Sequence, residues 1–219
     1  MLKEKNYFKH SVKYTNDGKL IDEYGRSIMM EWETEWMKES AKIICENGGD
    51  ILNIGFGMGI VDTFIQSYKP NTHTIIEAHP DIYLKMLEYG WPDKPNVNIV
   101  YSKWQDAIDK LPKKYDGIYF DTWMDEGFYD LFLPKLDSLL KPNGIFSYWV
   151  HTPFPEALLK TKNKLLLNFD IDYKIISIEN TPTHKEQFQN GGKYWNENWK
   201  ECLIPIIKKR KTPINKTIL

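Results

Sequence analysis

The chain has no apolar run near the ~18 residues needed to cross a bilayer, so nothing in it predicts a membrane span. Its first residues, Met1-Leu2-Lys3-Glu4-Lys5-Asn6, have no apolar core, and no secretory signal is expected. Charge of one sign is also missing. The 29 Lys and Arg against 30 Asp and Glu give a net charge of -1, whereas an electrostatic nucleic-acid binder carries a basic excess. The one basic cluster, Lys208-Lys209-Arg210-Lys211, reads as a solvated tail. Only two cysteines are present, Cys45 and Cys202, and they share no metal or redox spacing. They predict buried free thiols, a cytoplasmic location and no metal site. No Ser/Gly-rich linker, low-complexity run or repeat marks a boundary, so residues 1–219 are expected to form a single domain.

What is present is a core-forming sequence, 42% apolar, with aromatics at 14% and eight tryptophans. Helical spacing runs from Glu31 to Asn47 and ends at Gly48-Gly49. Short apolar runs at Ile51–Ile54, Thr72–Glu77, Val97–Tyr101, Tyr115–Asp121 and Ile145–Val150 predict strands. Helices are expected between them at Ile60–Ser67, Asp81–Tyr89, Trp104–Leu111 and Phe128–Leu140. Such alternation indicates βαβ units and a doubly wound, mostly parallel sheet in an α/β fold. Two late strand-like runs, Asp172–Glu179 and Cys202–Lys208, have little helix between them and suggest a C-terminal antiparallel hairpin at one edge.

Gly55-Phe56-Gly57-Met58-Gly59 follows the first predicted strand and opens a helix. Glycines there let a ligand approach the main chain. A dinucleotide fingerprint needs G-x-G-x-x-G, but position 60 is Ile. The tighter G-x-G-x-G form points instead to S-adenosylmethionine. Glu77 ends the second strand, about twenty residues on, where a carboxylate can accept hydrogen bonds from both ribose hydroxyls. After the third strand, Trp104 is placed to stack on adenine, with Gln105 or Asp106 reading its amino group.

Two carboxylates are candidates for the chemistry. Asp121 ends the fourth strand after four apolar or aromatic residues, where an unpaired charge is costly to bury. Glu33, read on a helix, neighbours Trp36 and Met37 on one side and Met29 and Met30 on the other. Two carboxylates converging on one pocket suit a planar guanidinium, whose donors form a matching fork.

The segments Met29-Met30-Glu31-Trp32-Glu33-Thr34, Asn53–Gly59, His73–Pro80, Trp104-Gln105-Asp106 and Phe120-Asp121-Thr122 resemble guanidinoacetate N-methyltransferase and the δ-nitrogen arginine methyltransferases. The resemblance runs from about Leu20 to the C-terminus. It implies a class I methyltransferase fold with seven strands, and S-adenosylmethionine as cofactor, leaving as S-adenosylhomocysteine. It assigns Gly55, Phe56, Gly57, Met58, Gly59, Glu77, Ala78, Trp104, Gln105 and Asp121 to the cofactor. Glu33 and Asp121 would hold the guanidino group, with Asp121 accepting the proton lost. Thr122, Trp123, His151 and Thr152 would complete the acceptor pocket, and Tyr7 and Phe8 a lid. Residues 1–28 would then form a lid segment on a 29–219 core, as a monomer or homodimer. The acceptor would be a small guanidine or a protein arginine.

Glu-Ala-His-Pro and Trp-Gln-Asp resemble the arginine branch, while Trp123 and Trp149-Val150-His151 depart from both branches. These departures keep a second reading in view, a non-guanidino amine or hydroxyl acceptor. A third is a cofactor-binding protein without turnover.

Overall fold

A computed structural model describes residues 7–112, 114–123, 127–150, 161, 165, 167–177 and 201–212. Seven strands form the central sheet: β4 (Asp50–Ile54), β5 (Thr72–Glu77), β6 (Val97–Tyr101), β7 (Tyr115–Phe120), β8 (Leu140–Tyr148), β9 (Phe169–Ser177) and β10 (Glu201–Lys209). Their order across the sheet is β6-β5-β4-β7-β8-β10-β9. The first five are parallel, and β10 pairs antiparallel with both β8 and β9. This is the expected doubly wound sheet with its late antiparallel hairpin.

Period-two alternation sends successive strand residues to opposite faces. On β4, Leu52 and Ile54 join Phe120, Phe132, Leu136 and Phe146 in one core, while Ile51 joins Met37, Ala41, Ile44 and Ile65 in the other. On β7, Ile118 and Phe120 take the first face and Tyr119 the second. A parallel sheet covered on both faces needs such near-continuous apolar strands. The second face is covered by α1 (Thr34–Ile44), α2 (Ile60–Ser67) and α3 (Pro80–Glu88), which supply Met37, Val61 and Ile82.

Several expectations change. A separate antiparallel sheet of β1 (Val12–Tyr14), β2 (Lys19–Asp22) and β3 (Ser27–Met30) occupies what reads as a polar start. Leu20 and Met29 from it are buried in the second core, and the 28/29 boundary falls inside β3. Met29 and Met30 are therefore strand residues and do not share Glu33's helix. A 3₁₀ turn over Glu31–Glu33 precedes α1, so only Trp36 and Met37 are its helical neighbours.

The Phe128–Leu140 helix is irregular. It opens as a π-turn over Phe128–Phe132, tightens to 3₁₀ over Leu133–Lys135 and is α-helical only over α5 (Leu136–Leu139). Pro134 has no N–H to give a regular helix. Trp104–Leu111 likewise shortens to α4 (Trp104–Ala107) and one 3₁₀ turn. Lastly, the basic cluster is no solvated tail. Lys208 and Lys209 end β10, Lys209 pairs with Asp137 at 3.2 Å, and Arg210 pairs with Asp170 at 2.7 Å.

Candidate active site at the carboxyl edge of the sheet

The residues that the sequence singles out lie just past the carboxyl ends of the parallel strands, and backbone bonds set them side by side. The Gly55 amide donates to the Ile76 carbonyl, Ser102 to Glu77, Asp121 to Ile54, and Trp149 to Phe120, all at 2.9–3.0 Å. The ladder thus continues one residue beyond each strand. Asp121 lies beside Gly55, and Trp149 beside the strand that delivers Asp121. Open α/β sheets bind ligands at this edge, where strand order reverses, here between β4 and β7.

A cavity of about 730 Å³, open solvent at its mouth included, sits on this edge. Gly55, Phe56, Gly57, Glu77, Ala78, Trp104, Gln105, Asp121, Thr122 and Trp123 all line it. The glycine loop shapes its floor. Gly55 has φ +94°, and a Cβ there would stand 1.8 Å from the Asp121 carbonyl oxygen, so no other residue permits this approach. Gly57 abuts the Met29 sulfur, and Gly59 abuts the Phe56 ring. Met58 and Gly59 stand behind the wall, where the Met58 amide meets the Met29 sulfur at 3.3 Å.

Glu77 is buried and accepts backbone N–H groups from Phe56 at 2.9 Å, Ala78 at 2.7 Å and His79 at 2.6 Å. Burial pushes its pKa up, and these backbone donors pull it down less than burial raises it. A carboxylate has about four acceptor sites, and the Gly57 amide acts on this one as well, so Glu77 is largely committed to holding the loop.

On the opposite wall, Trp104 is buried in the first core, with its ring against Phe120 at 5.6 Å and Phe132 at 5.7 Å, and it shows one side to the cavity. Gln105 lines the cavity, while Asp106 is exposed and does not. Tyr7 and Phe8, in a 3₁₀ turn, line the cavity as well. The Tyr7 ring packs on His79 at 4.8 Å and Trp123 at 4.9 Å, and Lys103 Nζ lies 4.6 Å from the Phe8 ring.

Asp121 lies in the cavity wall, whereas Glu33 stands behind it, 3% exposed. Glu33 Oε1 accepts the Met30 amide at 2.8 Å, and Oε2 accepts the Trp149 indole N–H at 3.0 Å. Burial and the Asp121 charge push the Glu33 pKa to about 8. Burial and the Asp62 charge raise Asp121 to about 7. Among the described residues, neither carboxylate is paired with a Lys or Arg. His151 and Thr152 lie outside the described residues.

One part of the site escaped the sequence reading. Asn53 Nδ2 donates to the Gly55 carbonyl at 2.8 Å and to both oxygens of buried Asp62 at 2.8 and 2.9 Å. Asp62 in turn meets His73 Nε2 at 3.0 Å, and His73 Nδ1 meets Gln66 at 2.9 Å. This polar chain braces the loop from beneath. Its signal was available: Asn53 interrupts an apolar strand, and Asp62 occupies an inward position of α2.

The fold is shared with solved methyltransferases and related enzymes. "M. jannaschii TYW2 in complex with AdoMet" superposes with a TM-score of 0.56 at 16% identity, over 91% of this chain and 85% of that one. Spermidine synthase from Thermotoga maritima gives 0.57 at 13% identity, over 91% and 72%. Among curated sequences, the protein named protein arginine N-methyltransferase 2 from Saccharomyces cerevisiae is 41% identical over 177 residues, 75% of this chain and 42% of that protein. Its namesake from Aspergillus fumigatus is 39% identical over 216 residues, 96% of this chain and 46% of that protein. The chain thus spans less than half the length of these relatives. A family profile described as guanidinoacetate N-methyltransferase matches residues 3–193. With most of the chain inside that match, this protein belongs to the guanidinoacetate N-methyltransferase family.

Proposed function

We propose that this chain is an S-adenosylmethionine-dependent N-methyltransferase acting on a guanidino nitrogen, in a small guanidine or an arginine side chain. The observation that carries this reading is the pair of buried carboxylates, Asp121 and Glu33, the charge of the first acting on the second, with no Lys or Arg partner among the described residues. Two such groups are costly unless a cation joins them. A guanidinium supplies the charge together with donors in the geometry carboxylates accept.

The cofactor fits the residues present. Gly55 and Gly57 leave the main chain bare, Glu77 offers an acceptor for ribose, and Gln105 with Trp104 faces the adenine end. S-adenosylmethionine supplies an electrophilic methyl group. The chain's own residues must then orient one guanidino nitrogen and take up the proton it sheds. Asp121, at about 7, is poised as that base near neutral pH. Glu33 holds the other nitrogens and the charge. Buried Cys45 and Cys202 fit the reducing cytoplasm in which we set the reaction.

Asp121→Asn should reduce turnover by about 10²–10⁴-fold, the usual span of a general base. Affinity for S-adenosylhomocysteine should stay within about threefold, because Asn preserves the shape of the wall. The measurement is methyl transfer to arginine, guanidinoacetate, agmatine and an arginine peptide, by mass spectrometry, beside calorimetry of the product cofactor. Undiminished turnover in the variant removes Asp121 as the base. Methylation confined to non-guanidino amines removes the guanidino reading itself.

A further inference from the structure

Trp149 follows β8, outside the cavity lining, at a position where the sequence departs from both branches that it resembles. Its backbone amide donates to Phe120 at 3.0 Å, next to Asp121. Its ring stacks on Trp36 at 5.4 Å and 19°, and Trp36 is 2% exposed. Trp36 lies one turn along from Glu33, so a single indole meets both residues on one side of the same segment. The ring is thus held by its backbone bond at one end and by a stack at the other. From that fixed position its N–H reaches Glu33 Oε2 at 3.0 Å.

We propose that Trp149 is a positioning residue for the acceptor, fixing the Glu33 carboxylate so that one acceptor site stays open on each of its oxygens. The proposal rests on the reading of Glu33 and Asp121 as the pair that holds a guanidino group. Each carboxylate oxygen has about two lone-pair sites. The Met30 amide fills one on Oε1, and the Trp149 indole fills one on Oε2. What remains is one site per oxygen, the arrangement that receives two parallel N–H groups from a guanidinium. Phenylalanine at 149 preserves a stacking ring but removes the donor. Glu33 then loses its fixed rotation and keeps an unsatisfied site on Oε2. The indole bond also holds the Glu33 pKa down against burial and the Asp121 charge, so its loss raises that pKa further.

The test compares wild type with Trp149→Phe by two readouts. In protein carrying ¹³C-labelled glutamate, NMR follows the Glu33 carboxyl without any acceptor. Its midpoint should rise by roughly one pH unit, the scale of one lost charged hydrogen bond. In steady-state kinetics the acceptor KM should rise about tenfold, with kcat falling less than about threefold. The acid limb of kcat/KM should move to higher pH with the NMR midpoint. S-adenosylhomocysteine affinity should stay within about threefold, showing that the cofactor wall is intact. An unmoved Glu33 midpoint overturns the proposal. A moved midpoint with unchanged KM also overturns it, leaving the bond structural. If wild type methylates no guanidine, the functional reading fails by itself, and the NMR midpoint alone then decides whether Trp149 governs Glu33.

Discussion

Two acids carry most of the meaning of this site, and both are displaced in the same direction. Glu33 at about 8 and Asp121 at about 7 hold protons at pH values where the unfolded chain, with ordinary carboxyls, has released them. Stability falls with pH wherever the native state binds more protons than the unfolded one. These two groups therefore destabilise the acceptor-free fold progressively from about pH 4 to about pH 8, and binding a guanidinium reverses the effect by favouring the charged forms. Calorimetric melts should show Tm falling over that window and a flatter profile in Glu33→Gln. Guanidine binding near pH 7 should release protons, read as a binding enthalpy that depends on the buffer's ionisation heat. Binding with no proton release would mean that both acids are already ionised. Asp121 was legible because it closes an apolar strand, and Glu33 because Trp36 and Met37 follow it at helical spacing, although Met29 and Met30 belong to a strand. The shared duty of Glu77 was not legible, since backbone amides leave no trace in a list of side chains.

The glycine loop converts strand order into a binding wall. Gly55 lies so close to the Asp121 carbonyl that the methyl-donor and acceptor sides are joined through the main chain. Gly55→Ala must move either β4 or the segment after β7, besides straining a residue at φ +94°. We expect a Tm loss of about 5–10 °C and product-cofactor binding weakened at least about 100-fold. A variant that melts normally and binds normally would show that the loop tolerates the extra carbon and that its tightness is incidental. The strands around this loop were readable from sequence almost residue for residue, because each is a short β-branched and apolar run closed by turn residues, as in Ile51–Ile54 before Gly55 and Tyr115–Phe120. The Phe128–Leu140 segment was misread because Pro134 breaks a helical spacing that its leucines otherwise satisfy. The strands β1 to β3 were missed because three or four residues give too few alternations to show a period.

Across the molecule, the small antiparallel sheet and the large one meet over the cavity. The Tyr14 hydroxyl donates to the Gly57 carbonyl at 2.8 Å, the Val12 amide donates to Asp81 Oδ2 at 3.0 Å, and His79 Nε2 meets the His10 carbonyl at 2.9 Å. These bonds tie β1, and His10 just before it, to the glycine loop that carries Gly57 and to the start of α3, just after Glu77. Tyr7 and Phe8 extend from this seam to line the cavity. Tyr7 is buried against His79 and Trp123, while Phe8 is half-buried and belongs to none of the buried core clusters. The Phe8 ring is therefore available to a ligand at little expense to the fold. Replacing Phe8 with alanine should leave Tm within about 5 °C, since the ties from Val12 and Tyr14 remain. The affinity for S-adenosylhomocysteine should fall by about 3–10-fold, as one large aromatic contact leaves the ligand facing water. Calorimetry of binding beside a thermal melt separates the two effects. Equal affinity in a normally melting variant would place the bound cofactor away from the seam and confine the N-terminal turn to packing on His79 and Trp123.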